Sequence, residues 1–557
     1  MSRTTRCNVT FNDGTTIEIE KGTTVYELSK LYQPKMKTKI IGAELNNETV
    51  NFVTKINKSC NINFIDCNSI NGYKINKYGL QFVLEVALKE TFGDKYEVIF
   101  DHSIANGMHM TIESPKSFTI SDATKLKTEM NNIINNDERI TLLNVDKKEA
   151  MQYYKKVGAD EKAANIHNVT NEIVTVYRLR NYLNYFYSEM PYSTGYLNKY
   201  ELVFLSNNKL VLLFPNPNSK YKIPEYIHYQ NVIKCFEDGQ KWIDKMGIPY
   251  LDRLNEIVSE SKIENLIKIT ETHFNNELNE LVDDVIKKGS RYILIAGPSS
   301  SGKTTTTKKI SLQLRSRGYE TLVLSVDNFF KDKVDTPKKE DGTYDFECLE
   351  ALDLKLLNKT LKDLASGKKT ELPTYNFVTG EKEYKDEPVK LSEDAIILIE
   401  GLHAINDDMT PTLEASLKYK VYLSPFIPLN IDRHNYISTT DLRLIRRMVR
   451  DNRDRASDVG QTIEYWGSVR SGETKYIFPF INNIDRVVNT SLIYEIGVLK
   501  VFAEPLLYSV KPESPAYNEA RRIINALRGF FPIPSDFVPG DSILREFIGK
   551  SEFTNYK

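Results

Sequence analysis

Gly297, Pro298, Ser299, Ser300, Ser301, Gly302, Lys303 and Thr304 fit the spacing G-x-x-x-x-G-K-[ST], directly after the apolar run Tyr292–Ala296 and ahead of a helical pattern beginning at Thr305. Small residues in this strand, loop and helix setting let backbone N–H groups surround phosphate oxygens while the helix N-terminus faces them. The loop together with Thr305 is the expected nucleotide cradle, with Lys303 reaching the β- and γ-phosphates and the Thr304 hydroxyl on Mg2+. Two acids stand where neighbouring strands are predicted to end, Asp327 after 321–326 and Glu400 after 395–399. Ligands of open α/β sheets bind at that edge. Phosphoryl transfer needs one carboxylate to orient the acceptor hydroxyl and take its proton, and another to hold Mg2+ near the phosphates. Either acid alone reads more readily as a helix cap at a strand end; with the P-loop upstream, Asp327 is assigned the first role and Glu400 the second.

The elements that must position these groups follow from the pattern around them. Apolar runs at 292–296, 321–326, 395–399, 419–423 and 486–488 are separated by helix-length sequence, which predicts a mainly parallel sheet covered by helices on both faces. Helical spacing over 252–288 predicts one or two long helices upstream. From 72 to 229 the pattern is mixed, with helices at 82–92 and 121–134 and extended runs at 96–100 and 108–112. Near the start, Val9 and Phe11 alternate with polar residues, Asp13-Gly14 marks a turn, and Ile17 and Ile19 resume the alternation. Thr24-x-x-Glu27 has capping-box spacing for a short helix, and strands are expected at 39–41 and 61–65. The fold class is therefore multidomain: a β-grasp (ubiquitin-like) unit over 1–66, an α+β unit over 67–235, a helical linker over 236–289, an α/β P-loop unit with a mainly parallel sheet over 290–530, and a tail over 531–557.

Composition bounds the partners. The chain has 557 residues, too many for one core at about 100–200 residues per domain. Its 74 Lys plus Arg against 75 Asp plus Glu give no chain-wide electrostatic case for nucleic acid or membrane. The five cysteines (Cys7, Cys60, Cys67, Cys235, Cys348) are widely spaced with no CxxC, which reads as free thiols in a reducing compartment. No secretory leader and no membrane-length apolar run is found, so the expected location is the cytoplasm.

Beyond the P-loop, the ordered segments SVDNFF, PTYNFVTGE, ILIEG and RLIRRMVRDNRDR resemble the uridine–cytidine kinases of the phosphoribulokinase/uridine kinase group, over roughly 291–490. The resemblance implies transfer of the γ-phosphoryl of ATP, with Mg2+, to a nucleoside 5′-hydroxyl. It puts Asp327 at the catalytic aspartate, Glu400 at the magnesium-associated acid and Tyr375 beside the nucleobase. Glu347, with Asp345 as its near competitor, matches the acid that binds ribose hydroxyls. Arg447 matches a substrate-side arginine, and Arg450 and Arg455 match lid arginines that approach the phosphates with Lys303. Arg443, Arg446, Arg447 and Arg450 fall at i, i+3, i+4 and i+7, so they share one helical face; a lid explains them, and a nucleic-acid patch is the alternative. Two positions depart from the family. Gly380 stands where it has a histidine, and Ser457 where it has a second lid arginine. In the segment 466–480, Arg470, Glu473 and Lys475 read either as part of an altered acceptor pocket or as solvated loop charges.

The residues from Val9 to Asp66 resemble a TGS domain, and those following to about Tyr229 resemble the second additional domain of threonyl-tRNA synthetases. The metal-binding positions of that domain correspond here to Tyr78, Phe82, Ser188 and Tyr192, so neither zinc nor editing hydrolysis is expected. Most of the seven histidines read as structural or exposed. Two other functions stay open: a kinase of another hydroxylated metabolite or sugar phosphate, and a nucleotide-regulated protein that binds RNA or the ribosome through its amino-terminal half. No NKxD or TKxD element follows the P-loop. The acceptor is a small molecule, no membrane partner is expected, and a homo-oligomer stays open.

Overall fold

A computed structural model describes residues 6–104, 107–339, 342–384 and 387–555. At the amino terminus, β1 (Arg6–Phe11), β2 (Thr16–Glu20), α1 (Val25–Tyr32), β3 (Gly42–Leu45), β4 (Glu48–Val50) and β5 (Cys60–Ile65) build a five-stranded sheet in the order β2-β1-β5-β3-β4. β1 and β5 run parallel, and the other pairs are antiparallel. The capping box forms as the spacing predicts, with the Thr24 hydroxyl accepting from the Glu27 N–H and Glu27 accepting from the Thr24 N–H. The strand expected at 39–41 begins instead at Gly42. Ile40 and Ile41 are consecutive and both buried, and they enter different apolar clusters, which a regular strand facing one core does not allow.

The next segment contains α2 (Ile70–Phe92), β6 (Glu97–Ile104), β7 (Gly107–Glu113), α3 (Ile120–Asn135), β8 (Thr141–Asp146), α4 (Lys147–Lys156), α5 (Asp160–His167), β9 (Ile173–Leu179), β10 (Tyr182–Asn184), β11 (Glu201–Ser206) and β12 (Lys209–Leu213). Two antiparallel sheets result, ordered β11-β12-β7-β6 and β8-β9-β10. Tyr78 and Phe82 pack on the Phe186 ring. Tyr192 lies between the Arg139 guanidinium and the Tyr26 ring.

Helices α6 (Gln230–Lys245), α7 (Leu251–Ser259) and α8 (Ile263–Lys288) lead into the carboxyl-terminal half. There β13 (Tyr292–Ala296), α9 (Lys303–Ser316), β14 (Thr321–Ser325), α10 (Leu354–Ala365), the hairpin β15 (Pro373–Asn376) and β16 (Glu381–Tyr384), β17 (Ile396–Glu400) and β18 (Lys418–Ser424) follow. A short hairpin of β19 (Asn430–Asp432) and β20 (Asn435–Tyr436) precedes α11 (Thr439–Arg455) and α12 (Val459–Tyr476). The chain ends with β21 (Arg486–Asn489), α13 (Glu495–Tyr508), α14 (Tyr517–Leu527) and α15 (Arg545–Ile548). The central sheet, β14-β17-β13-β18-β21, is parallel throughout. In β13, Ile293 and Ile295 face one apolar cluster while Tyr292, Leu294 and Ala296 face the other, so an unbroken apolar run is what a strand covered on both sides requires. α7 and α8 bury Leu251, Leu254, Leu278 and Leu281 in the first of these clusters, as does the segment after residue 530 with Ile533, Val538, Ile543 and Phe547.

The two halves are joined by the β19/β20 hairpin. Asp432 is fully buried against Lys162 at 2.9 Å and accepts the Tyr185 hydroxyl at 2.7 Å. Arg433 pairs with Glu161 at 2.7 Å, and Phe100 N–H donates to the Arg433 carbonyl at 3.0 Å. Ser438 then caps α11 through the Asp441 N–H, so the hairpin seated in the amino-terminal half leads directly into the arginine-rich helix.

Candidate active site

The sharp exit from β13 explains its small residues. A Cβ on Gly297 would stand 2.5 Å from the Leu423 carbonyl oxygen, Ser300 and Gly302 have φ of 60° and 83°, and a Cβ on Gly302 would meet Ile543 at 2.6 Å. The helix α9 starts at Lys303 itself, two residues before the sequence pattern suggests, because Gly302 supplies the left-handed turn at its cap. Three carbonyls of the loop are tied back: Arg443 donates to Ser299 O at 2.8 Å, Arg446 to Ser300 O at 3.4 Å, and the Thr490 hydroxyl to Ser301 O at 2.6 Å. Since C=O and N–H of a planar trans peptide point in opposite directions, the amides are turned to the other side. Lys303 Nζ donates to Gly297 O at 2.9 Å and Pro298 O at 3.2 Å.

Three carboxylates feel the Lys303 charge. Asp327 lies on a 3-10 turn, Val326–Phe329, just past β14. It is exposed, yet the protein around it raises its pKa, and Lys303 and Arg455 oppose that rise. Glu400, the last residue of β17, is buried, and burial, assisted by Asp327, pushes it up to about 7 against the pull of Lys303 and a hydrogen bond from Ser325. Glu347 is raised by burial and by Glu473, and lowered by Arg447. Thr304 is exposed in the first turn of α9. A buried carboxylate on β17 and an exposed hydroxyl at the start of α9 are the ligand types that suit a divalent cation keeping most of its ligands from water and phosphate. Among the described residues no three His, Cys, Asp or Glu side chains form a ready metal cage.

Around Tyr375, ring centroids of Phe330 and Tyr375 lie 5.6 Å apart, Phe330 and Phe346 5.7 Å, and Tyr375 and Phe377 5.1 Å. The Tyr375 hydroxyl is buried with no hydrogen-bond partner among the described residues. His403 bonds the Glu347 carbonyl at 2.9 Å, and Asp345 accepts the Glu347 N–H at 3.2 Å, turning its carboxylate back on the local backbone. A Cβ on Gly472 would lie 3.3 Å from Glu347 Cβ, so α12 passes directly over this acid. Gly380 has φ 76° in the β15/β16 turn, where its carbonyl accepts the Lys333 N–H at 2.8 Å; the turn itself demands glycine, which accounts for the missing histidine.

The arginine face divides in two. Arg443 and Arg446 are buried and serve the loop carbonyls. Arg447 reaches the Ser299 hydroxyl at 3.1 Å, and Arg447, Arg450 and Arg455 surround the buried Asp451 carboxylate at 3.2, 2.8 and 3.6 Å. Arg470 and Lys475 are exposed, whereas Glu473 is buried on α12, accepts the Ser299 N–H at 3.2 Å and pairs with Arg443. Asp451 and Glu546, which accepts from Thr305, escaped the motif reading, whereas Glu473, read from the sequence as part of an altered acceptor pocket or as a solvated loop charge, is buried on the Ser299 amide. Asp451 had a local signal, an acid within an arginine cluster; Glu546 lies far along the chain from the loop and had none.

Residues 292–493 match the sequence profile of the Phosphoribulokinase / Uridine kinase family. The chain is 28% identical over 202 residues to a uridine kinase of Staphylococcus aureus (strain JH9), covering 36% of this chain and 88% of the relative. It is 26% identical over 199 residues to a threonine–tRNA ligase of Rickettsia canadensis (strain McKiel), covering 35% of this chain, and spans 31% of that ligase's length. A possible uridine kinase structure from Bacillus stearothermophilus aligns with 38% of this chain and 100% of its own, at 20% identity and a TM-score of 0.26. Strand, loop, helix and flanking acids thus coincide with the profile match, and the carboxyl-terminal part of the chain contains a phosphoribulokinase/uridine kinase family domain.

Proposed function

We propose that this protein is a nucleoside kinase that transfers the γ-phosphoryl of ATP to a 5′-hydroxyl. The observation that carries the reading is the set of Lys303, Asp327 and Glu400 at the carboxyl ends of three adjacent parallel strands, with Lys303 acting electrostatically on both acids. Asp327 orients the acceptor hydroxyl and takes its proton as the acceptor oxygen bonds to the γ-phosphorus and the bond to the β-phosphate oxygen breaks. Lys303, Arg450 and Arg455 balance the charge that shifts toward the leaving phosphates. Thr304 and Glu400 would hold Mg2+, which neutralises phosphate charge when bound. Glu347 hydrogen-bonds the ribose hydroxyls, with Arg447 beside it. The edge-on aromatic wall of Phe330, Tyr375 and Phe377 favours a planar base over a sugar phosphate.

Within the same reading, the first 66 residues are a TGS-like β-grasp unit, supported by the sheet order β2-β1-β5-β3-β4 beside α1. The α+β segment after them is synthetase-like, in line with the threonine–tRNA ligase match. The test is ATP-dependent phosphorylation across a panel of nucleosides and sugar phosphates. Mg2+-dependent transfer to nucleosides is expected; transfer to sugar phosphates alone overturns the acceptor, and tight salt-dependent RNA binding without transfer overturns the reaction.

A further inference from the structure

The carboxyl-terminal segment carries a carboxylate onto the phosphate-facing end of α9. Both the Thr305 N–H and the Thr305 hydroxyl donate to one oxygen of Glu546, at 3.1 and 2.8 Å. The segment is held on either side of that residue: Lys309 Nζ bonds the Asp541 carbonyl at 2.9 Å, Arg453 the Phe547 carbonyl at 2.6 Å, and Lys308 the Phe553 carbonyl at 2.7 Å. Ile543 packs against Gly302 so closely that a Cβ there would come within 2.6 Å.

The chemistry of this contact is that of a phosphate surrogate. A helix N-terminus presents unsatisfied N–H groups and partial positive charge, and an anion there is stabilised whether it belongs to a ligand or to the chain. Among the described residues no lysine or arginine lies within 4 Å of the Glu546 carboxylate; Lys308 attracts it from farther off, and the Thr305 N–H and hydroxyl make its direct contacts. Glu473, the other carboxylate on the loop amides, differs: it is buried and paired with Arg443, which fixes it as scaffold. Glu546 is half-buried, carries no such pair, and adds to the repulsion at Glu400.

We infer that Glu546 is a residue of the nucleotide site that competes with the nucleotide's phosphates for Thr305, so that MgATP must displace it and binds more weakly for its presence. The inference rests on the P-loop reading above and concerns affinity, not the transfer step. Arg453 of α11 holds the same segment through the Phe547 carbonyl, so withdrawal of Glu546 also works against a contact with the arginine-rich helix.

The test is calorimetric titration of MgATP into the full chain as wild type, Glu546→Gln, Glu546→Ala and Lys303→Ala, with thermal melts to establish folding. Glutamine keeps the shape and one acceptor oxygen while removing the charge, so it isolates the electrostatic competition. Both Glu546 variants are expected to bind MgATP roughly three- to tenfold more tightly, the range that a single charge at a helix N-terminus commands. Hydrogen exchange in the wild type should show the amides of 541–553 losing protection when MgATP binds. Unchanged or weaker binding in Glu546→Gln, or increased protection of 541–553, overturns the inference and leaves the P-loop reading standing, provided Lys303→Ala abolishes binding. Absence of Lys303-dependent binding in every variant overturns the P-loop reading and the inference with it. Should Glu546→Ala fail to fold, Glu546→Gln and the exchange measurement decide the question.

Discussion

Arg446 of α11 and Glu495 at the start of α13 form an ion pair with both partners sealed from solvent, the guanidinium reaching one carboxylate oxygen through Nη2 at 2.7 Å and Nε at 2.8 Å. The other oxygen of Glu495 accepts the Leu492 N–H at 2.8 Å, and Arg446 also donates to Thr490 O at 2.7 Å and to Ser300 O in the phosphate loop. An arginine that the helical spacing places with the lid is thus a clamp between the P-loop and the core. Arg446→Met strands a buried carboxylate and is expected to cost about 3–5 kcal/mol, whereas joint replacement of Arg446 and Glu495 by apolar residues costs less. Urea unfolding of the carboxyl-terminal half, followed for each variant, checks this.

Asp327→Asn should separate binding from chemistry. The asparagine retains the shape of the side chain but cannot accept the hydroxyl proton, so turnover falls about 10²–10⁴-fold while MgATP still binds. Lys303→Ala should lose both. Turnover assays paired with calorimetry on the same preparations give the comparison.

Glu400 sets a pH dependence with two opposite signs. Burial raises it to about 7, so a cation that requires the charged form must expel a proton, and Mg2+-nucleotide affinity should climb as the pH rises through about 7. In the metal-free chain the same shift means that its contribution to stability is complete below the ordinary value of 4.5 and is lost as the pH rises through about 7. Glu400→Gln should flatten both profiles. Mg2+ titrations in buffers of different ionisation enthalpy measure the released proton.

Gly472→Ala should raise the KM for the acceptor with little change in the KM for ATP. Its Cβ would press on Glu347 at 3.3–3.4 Å, while alanine favours the helix by about 1 kcal/mol over glycine. Poorer acceptor binding in an equally or more stable protein is the expected pairing, read from initial rates and melting temperature.

Asp432→Ala should loosen the two halves. It removes the ion-pair partner of Lys162 and the acceptor of the Tyr185 hydroxyl and leaves a buried ammonium hydrogen-bonded to the neutral Asn184 amide, at a cost of about 3–5 kcal/mol. Because the hairpin continues into α11, turnover should fall as well. Limited proteolysis between the halves and turnover measured together test the link.

Much of the site was legible locally. The strand and the glycine-bounded loop stand in one stretch of chain where spacing fixes their relation, and each acid is marked by the end of its own apolar run. Asp327, Glu400 and Lys303 come within electrostatic reach of one another because parallel strands carry their carboxyl ends to one edge. The division of the arginine face was not legible: i, i+3, i+4, i+7 spacing states which residues share a helix face, and only the neighbours of α11 determine that Arg443 and Arg446 point into the core while Arg447, Arg450 and Arg455 gather on Asp451.

The sequence by itself determined the phosphate loop, the alternation of strand and helix that builds a parallel sheet, and the acids that flank it, because each is written in contiguous residues with a periodicity of its own. Tertiary structure alone decided that Glu546 comes to rest on Thr305, that Glu473 sits under Ser299, and that Asp432 is sealed in the amino-terminal half. Those contacts join residues separated by 241, 174 and 270 positions, and no local pattern encodes which distant carboxylate will be carried to a given amide or ammonium; packing of the completed core does.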